Sequence, residues 1–297
     1  MIGIIAAGGY GTRLYPFNIT TNKHLLPVND KPLIYYPITN LIAAGIKNII
    51  LCSDFNHLKS FKQLLGNGKK LGCKFEYVEQ KKPNGIPEVL LLCKRFVKKN
   101  QSVTLLLGDN IFVAGGDFSK NLSKKTTKGA SIFAVKVSNP SRFGVIELKG
   151  KKILSIQEKP PHPKSNYIIP GAYKFNYSCF DLIKQLKPSV RNELEIIELI
   201  NQYLFKDQLE VNILRRGCAW FDAGTPNSIQ QASNYIYQIE KNMGFKIGCP
   251  EEAAFYKGFI TRFQLQKNIN QMPECEYRDY LQKVMDDRNE NNLNLVA

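Results

Sequence analysis

The sequence predicts an α/β protein with a mainly parallel central sheet that is covered by helices on both faces. Short apolar runs of strand length alternate with segments whose apolar residues recur at helical spacing. The strand-length runs are residues 2–6, 48–52, 103–107 and 131–137. They are almost continuously apolar, as is typical of strands buried on both faces. Ligands bind such sheets beyond the carboxyl ends of the strands, so we look for function there.

The elements follow one another in a regular order. A glycine-rich turn follows the first strand, and apolar residues between 33 and 42 at helical spacing then lead to Gly45, a natural helix end. The second strand is followed by a helix that carries apolar residues from 58 to 65 and ends at Gly66. The third and fourth strands come next, and residues 229–243 again have a helical pattern.

The composition is that of an ordinary globular protein. With 43% hydrophobic and 22% charged residues, collagen-like, disordered and coiled-coil classes are excluded. No apolar stretch approaches the roughly 18 residues of a membrane helix, and the start lacks the basic region of a signal peptide. The 7 cysteines include no C-x-x-C pair, so neither a zinc ribbon nor a secreted disulfide framework is indicated. We expect a cytoplasmic protein with no membrane partner.

The net charge of +16 is concentrated in the first half of the chain. Residues 1–150 contain 22 Lys and Arg against 8 Asp and Glu, a formal charge of +14. The lysines come in pairs without interleaved aromatic residues or a nucleic-acid reader motif, so nucleic acid is not an expected partner. A solvated lysine-rich surface and a field that attracts phosphorylated small molecules both remain open.

A candidate phosphate cradle follows the first strand. Gly8, Gly9 and Gly11 allow the backbone to turn tightly and point N–H groups at an anion. Neither the P-loop motif nor the third glycine of the dinucleotide fingerprint is present, and glycines alone would favour a structural turn. Arg13 and Lys23 favour the functional interpretation, because these cations can neutralise charge on a transferring phosphoryl group.

Two acids follow apolar runs farther along the chain. Asp109 ends the third strand and Asp222 follows Trp220 and Phe221. An acid at a strand end is often only a helix N-cap. Two carboxylates that meet nucleotide phosphates would suit Mg²⁺, whose other ligands are phosphate and water. Lys159 could hold a second phosphate, and Glu158 could accept hydrogen bonds from hydroxyl groups. By itself, the triplet Glu158-Lys159-Pro160 is typical of an exposed strand end.

Taken together, these segments resemble one family, the sugar-1-phosphate nucleotidyltransferases. That family carries, in order, G-G-x-G-T-R-L, K-x-L-L-P, G-D, E-K-P and W-x-D-x-G-T. The corresponding segments here are residues 8–14, 23–27, 108–109, 158–160 and 220–225. Within the family the chain most resembles the glucose-1-phosphate thymidylyltransferases, through residues 31–37, 107–112, 191–196 and 249–252. The match runs from residue 2 to about residue 260 and is highly specific.

The resemblance implies a Rossmann-like three-layer nucleotidyltransferase fold and a Mg²⁺-dependent reaction. The phosphate of a hexose 1-phosphate attacks the α-phosphorus of a pyrimidine nucleoside triphosphate, dTTP or UTP being favoured, and pyrophosphate leaves. It also implies a catalytic domain over residues 1–245 and a mainly helical extension over residues 246–297, packed on the core or at a subunit interface. Related enzymes are often tetramers, so a homo-oligomer, tetramer or dimer, is expected.

The same resemblance assigns roles to individual residues. Arg13, Lys23 and Lys159 are the catalytic cations that stabilise or grip phosphates, and Asp109 and Asp222 are the metal ligands. The nucleotide-binding residues are Gly8, Gly9, Gly11, Thr12, Gly85 and Glu88. The sugar-binding residues are Gly144, Glu158 and Gly171. The assignment suits phosphoryl-type transfer, in which positioning and cations supply most of the rate.

Several residues depart from the thymidylyltransferase pattern. Glu88 stands where the family has a Gln that reads the pyrimidine, and an ionised carboxylate only accepts hydrogen bonds. It could take the N3–H of thymine or uracil, but would welcome the amino group of cytosine. His24 replaces a Gln and Phe143 replaces a Tyr, which removes one polar contact. The reaction is therefore expected to be kept, while the choice of base and sugar stays open.

Three alternatives to this enzyme stay open. The first is a cytidylyl- or other-base variant of the same enzyme. The second is a catalytically silent nucleotide-sugar-binding protein, against which the retention of both acids and all three cations argues. The third is a protein that associates with nucleic acid or an anionic membrane through its basic half, which predicts steeply salt-dependent binding.

Overall fold

A ten-stranded sheet forms the middle of the computed structural model, which describes residues 1–113, 115–126 and 128–290. The strands are β1 (Ile2–Ala6), β2 (Pro27–Val28), β3 (Lys31–Pro32), β4 (Asn48–Ser53), β5 (Lys74–Glu79), β6 (Val103–Leu107), β7 (Asn110–Val113), β8 (Ala130–Lys136), β9 (Gly144–Lys149), β10 (Lys152–Glu158), β11 (Tyr167–Ile168), β12 (Ala172–Phe175), β13 (Leu209–Ile213) and β14 (Ala219–Asp222). Strands β2 and β3 form a small hairpin, and β7 pairs with β14 in a separate ribbon.

Helices surround this sheet. They are α1 (Tyr35–Ala43), α2 (Phe55–Leu65), α3 (Ile86–Cys93), α4 (Gly115–Ser123), α5 (Cys179–Ile183), α6 (Ile196–Phe205), α7 (Pro226–Met243), α8 (Pro250–Tyr256), α9 (Arg262–Ile269) and α10 (Glu276–Glu290). Helix α2 ends at Gly66 as predicted, and α7 begins three residues before the predicted helical pattern, because Thr225 and Ser228 form a capping box at its start. No helix in the described parts of the chain combines the length and hydropathy needed to cross a membrane.

The sheet is mixed and mostly parallel, as predicted. Its order is β10-β9-β11-β8-β12-β6-β1-β4-β5, and β13 pairs with β8. Strands β1, β4, β5, β6, β8, β9 and β13 run in one direction, whereas β10, β11 and β12 run in the other. The parallel run β6-β1-β4-β5 brings the carboxyl ends of β1 and β6 side by side, which is where a ligand site is expected.

Apolar side chains cover both faces of the sheet, which explains the nearly continuous apolar strands. In β1, Ile4 and Ile5 are fully buried in two different core clusters, because successive side chains point to opposite faces. One cluster holds residues of α1, α2, α4 and α8–α10, and the other holds residues of α3, α5 and α6. The three-layer α/β architecture is therefore confirmed.

The C-terminal helices share the core of the rest of the chain. Helix α8 packs along α1, and Leu265, Leu281 and Met285 from α9 and α10 are buried in the same cluster as the first helices. Residues 291–297, at the end of the predicted extension, lie outside the described residues. All 7 cysteines are free thiols, and Cys52, Cys73, Cys93, Cys179 and Cys249 are buried.

Candidate active site

The glycine turn after β1 has the backbone geometry of a cradle. Gly9 and Gly11 have φ angles of 96° and 59°, which side chains rarely adopt. Gly8 allows the Gln80 side chain to approach closely, because a Cβ there would lie 2.7 Å from Oε1 of Gln80. Gly8 and Gly9 line one part of a cleft at the carboxyl end of β1, and Thr12 lines the adjoining part of the same cleft. Gly11 does not line the cleft but starts the 3₁₀ turn that carries Arg13.

Asp109 lies between β6 and β7, at the same sheet edge as the glycine turn. The N–H of Gly108 donates to the carbonyl of Ala6 over 2.9 Å, which fixes the two strand ends beside each other. A strand and not a helix follows Asp109, so the helix N-cap interpretation of this acid is wrong. Gly108 leaves room for His24, whose ring carbon Cδ2 would be 2.7 Å from a Cβ at this position.

The Asp109 carboxylate is buried and held in its ionised form. Burial alone would raise its pKa, but the ion pair with Lys23 and the hydrogen bond from Asn110 (2.9 Å) hold the pKa well below the usual range. Asn110 is oriented in turn by Trp220, whose Nε1–H donates to its Oδ1 over 2.7 Å. The sequence pattern identified the acid but not Asn110, which positions it.

Asp222 reaches the same place through the β7–β14 ribbon. In this ribbon Asp222 pairs with Asn110, and the N–H of Ala223 donates to the carbonyl of Asp109 over 2.8 Å. Burial and the charge of Asp109 raise the pKa of Asp222. Arg13 is its nearest cation, with 4.0 Å between Nη1 and Oδ2. The structure therefore brings together the two acids and Arg13, as the sequence predicted from distant segments.

The cleft has two lobes that meet at these charges. The first lobe, of about 420 Å³, lies between the glycine turn and the start of α3, and the second, of about 560 Å³, lies between β9, β12 and β14. Both lobes are lined by Arg13, Asp109, Glu158, Lys159 and Arg191. Lys23 and Gly85 line the first lobe only, and Asp222 the second only. One molecule in each lobe would therefore meet at the paired acids and cations.

The predicted sugar-binding residues line the second lobe. A Cβ on Gly144 would lie 2.6 Å from Ile197, and one on Gly171 would lie 2.5 Å from Leu107, so both glycines are needed for close packing at its wall. Glu158 ends β10 beside Lys159, with 3.0 Å between Oε1 and Nζ. Lys159 has a φ of 41°, an uncommon conformation for a side-chain-bearing residue and one typical of functional sites.

Arg191 is a cation of the cleft that the site prediction did not include. Its guanidinium binds both carboxylate oxygens of Glu195 at 2.8 and 2.9 Å and lies 3.5 Å from Glu158. The ion pairs raise its pKa despite partial burial. The segment 191–196 had contributed to the family resemblance, and that was the available signal for this residue.

Glu88, predicted to contact the base, does not line either lobe. Its carboxylate accepts hydrogen bonds from Nε2 of Gln80 and Nδ2 of Asn84, each over 2.8 Å. Gln80 is the amide that faces the first lobe, where Ile86 and Val89 provide apolar surface. No sequence pattern distinguished Gln80 from the other polar residues of this loop.

Residues 2–239 match the family model described as nucleotidyl transferase. The chain therefore belongs to the nucleotidyl transferase family, and the family predicted from its motifs is confirmed.

Similar proteins within this family indicate a more specific class of enzyme. The chain is 41% identical to a glucose-1-phosphate thymidylyltransferase of Mycolicibacterium smegmatis, over 96% of this chain and 99% of that protein. It is 40% identical to one from Neisseria meningitidis, with the same coverage. Among solved structures, a glucose-1-phosphate thymidylyltransferase from Bacillus anthracis superimposes with a TM-score of 0.74 and 39% identity, over 79% of this chain and 95% of that one. The predicted enzyme class, a sugar-1-phosphate nucleotidyltransferase, is supported throughout.

Proposed function

We propose that this enzyme transfers a nucleoside monophosphate from a pyrimidine nucleoside triphosphate, dTTP or UTP, to a hexose 1-phosphate such as glucose 1-phosphate. The observation that carries the proposal is the two-lobed cleft with Asp109, Arg13 and Lys159 at the junction of the lobes. The names of relatives about 40% identical over nearly the whole chain support the same substrates.

Each lobe of the cleft binds one of the two substrates. The first lobe holds the nucleoside triphosphate, with backbone N–H groups of the glycine turn, Arg13 and Lys23 near its phosphates. The second lobe holds the sugar, with Glu158 accepting from hydroxyl groups, and Lys159 and Arg191 binding its phosphate. An oxygen of the sugar phosphate then bonds to the α-phosphorus, the bond from that phosphorus to the β-phosphate oxygen breaks, and pyrophosphate leaves with that electron pair.

The cleft acids fit a Mg²⁺ ion. Asp109 and Asp222 are close enough for the charge of one to raise the pKa of the other, and a cation between them would relieve that repulsion. In the described residues no three His, Cys, Asp or Glu side chains form a metal cluster, and Mg²⁺ needs only one or two carboxylates when phosphates and water complete its shell. When bound, Mg²⁺ would neutralise charge on the triphosphate.

Two further proposals concern the protein as a whole. We infer that it works in the cytoplasm, where nucleoside triphosphates are made and where its free thiols would stay reduced. We also infer a homo-oligomer, dimer or tetramer, from the enzymes it resembles. Size-exclusion chromatography with light scattering tests the second point directly.

The experiment that tests the proposed function is a pyrophosphate-release assay with Mg²⁺. It crosses dTTP, UTP, CTP, ATP and GTP with a panel of sugar 1-phosphates, and we expect turnover with dTTP or UTP and glucose 1-phosphate. Turnover with CTP alone would favour the cytidylyl alternative. Nucleotide-sugar binding without any turnover would favour the catalytically silent alternative.

A further inference from the structure

The Glu88 side chain lies behind the first lobe and binds two amides at once. Its Oε2 accepts from Gln80 and its Oε1 accepts from Asn84. Gln80 directly follows β5 and is held there by a hydrogen bond from its N–H to the carbonyl of Ser53, over 2.8 Å. With 7% of its surface exposed, Gln80 is nearly buried, and that exposed part lines the lobe.

The chemistry of a carboxylate fixes which way the Gln80 amide points. An amide group has a donor end and an acceptor end that can exchange by rotation, whereas a carboxylate only accepts. Gln80 must therefore present its NH₂ to Glu88, which leaves Oε1 on the side of Gly8, where a Cβ would lie 2.7 Å from that oxygen. The Gly85 carbonyl, 3.5 Å from Gln80 Nε2, is a second and weaker acceptor on that side. A Gln at position 88 could bind the Gln80 amide in either orientation and would therefore impose this direction less strongly than Glu88 does.

The surrounding backbone keeps Glu88 in place. Glu88 lies in the first turn of α3, where the helix dipole favours a negative charge. Asn84 is anchored from outside the helix, because the N–H of Leu194 donates to its carbonyl over 2.8 Å. The adjacent Gly85 packs so closely on Leu194 that a Cβ would lie 2.1 Å from the Leu194 carbonyl oxygen. The three polar side chains are thus linked by hydrogen bonds at the start of α3, where the backbone is anchored.

We propose that Glu88 is a positioning residue that turns the Gln80 carbonyl oxygen toward the base and so makes the first lobe select thymine and uracil over cytosine. Thymine and uracil carry an N–H donor at N3, whereas cytosine has an acceptor there, which a fixed carbonyl oxygen would repel. This inference rests on the proposed function, since it assigns the base to the first lobe. If Glu88 contacted the base itself, its carboxylate would accept a hydrogen bond from the cytosine amino group and favour CTP. Acting through Gln80, it has the opposite effect and disfavours CTP.

The test is the ratio of kcat/KM for dTTP to that for CTP in the whole enzyme. We expect Glu88→Gln to lower this ratio about 2- to 10-fold, the value of one hydrogen bond, with the KM for glucose 1-phosphate unchanged. Gln80→Leu should lower the ratio similarly. Because Glu88 acts through Gln80, the double variant should lose no more than Gln80→Leu alone, a non-additivity that a merely structural role would not produce.

Glu79→Gln is the matched control, because it removes the same charge one residue before Gln80 and should leave the ratio unchanged. UTP and its 3-deaza analogue, in which C–H replaces N3–H, give a second measurement: wild type should discriminate against the analogue and Glu88→Gln should do so less. Calorimetric binding of dTTP and CTP without sugar phosphate gives the corresponding ratio of dissociation constants even if turnover fails, which separates this inference from the proposed function. An unchanged ratio in Glu88→Gln, or additive effects in the double variant, would overturn it.

Discussion

Asp109 in the cleft and the two acids at the start of α8 have pKa values that are shifted in opposite directions. In the cleft, Lys23 and Asn110 hold the pKa of Asp109 below its usual range in spite of burial. At the start of α8, burial raises the pKa of Glu252 to about 7, and it also raises the pKa of Glu251, whose carboxylate accepts from Tyr277 over 2.6 Å. The surroundings of Asp109 favour its charged form, whereas those of Glu251 and Glu252 favour the neutral acid.

The difference separates a catalytic arrangement from a packing arrangement. A carboxylate that is to meet a cation and a triphosphate must stay ionised, so its neighbours are a lysine and amide donors. Burial among the apolar helices makes Glu251 and Glu252 more stable when protonated, and the tyrosine hydroxyl groups that hydrogen-bond to them oppose this only in part. The pKa direction therefore distinguishes Asp109 from the acids of α8 where burial does not, and four measurements test the charged groups of the molecule.

The largest expected effect is that of Asp109→Asn. Removing the charge while keeping the shape should lower kcat about 100- to 1000-fold in the pyrophosphate-release assay, the range seen when one electrostatic contact to the transition state is lost. Asp181→Asn, at an acid whose side chain is 67% exposed, should retain full activity. A correctly folded Asp109→Asn enzyme with wild-type kcat would refute the role of this acid.

Glu252→Gln should change the pH dependence of stability. The folded-state pKa of about 7 lies above the unfolded value, so Glu252 contributes stability that is complete below about pH 4.5 and lost as the pH rises through 7. Glutamine resembles the protonated acid, so the variant should be about 1 to 3 kcal/mol more stable than wild type at pH 8 and equal to it at pH 4.5. Chemical denaturation at both pH values measures this.

The control for that comparison is Glu274→Gln, because the Glu274 side chain is 97% exposed. Glu274→Gln should leave the free energy of unfolding unchanged at pH 4.5 and at pH 8. If Glu252→Gln gave the same free-energy difference at pH 4.5 and pH 8, the acids of α8 would not differ from those of the cleft in the way described.

Arg191→Met should act on sugar phosphate binding. Losing a charge-assisted contact is expected to raise the KM for glucose 1-phosphate about 10- to 100-fold while changing the KM for the nucleotide much less. Arg216→Met, at an exposed arginine outside the cleft, is the matched control. Equal increases in both KM values would show that Arg191 supports the cleft as a whole and does not bind one substrate.

The smallest expected effect is that of salt. If the charge of +14 on the first half attracts anionic substrates, kcat/KM should fall about 2- to 5-fold between roughly 0.05 and 0.3 M salt, with kcat nearly constant. Initial rates at matched Mg²⁺ concentration measure it. A flat kcat/KM would mean that the lysine pairs are only a solvated surface.

The sequence predicted those parts of the fold that depend on local patterns. Continuous apolar runs gave the bounds of β1 and β6 as observed, and those of β4 and β8 to within one residue. The β7–β14 ribbon was not predicted, because its strands have four residues each and their pairing joins distant segments. The spacing of apolar residues within a segment does not predict a pairing between segments that are far apart in the sequence.

The candidate site, like the fold, has parts that the sequence predicted and parts that it did not. The acids and cations carry recognisable motifs, so their convergence could be inferred before it was observed. Which amide faces the first lobe depends on how Glu88, Asn84 and Gln80 bind one another, and residue types along the chain do not show that. Arg191 lay within a recognised segment, yet only the structure places it in the cleft, where it lines both lobes 3.5 Å from Glu158.

The β7–β14 ribbon also affects how the enzyme matures during synthesis. Asp109 leaves the ribosome long before Asp222, and Asp222 is positioned only when β14 pairs with β7. A nascent or prematurely terminated chain that ends before residue 219 would lack the second carboxylate, and also the C-terminal helices that complete the core of the first ones. Incomplete translation products that end before residue 219 should therefore be catalytically inert.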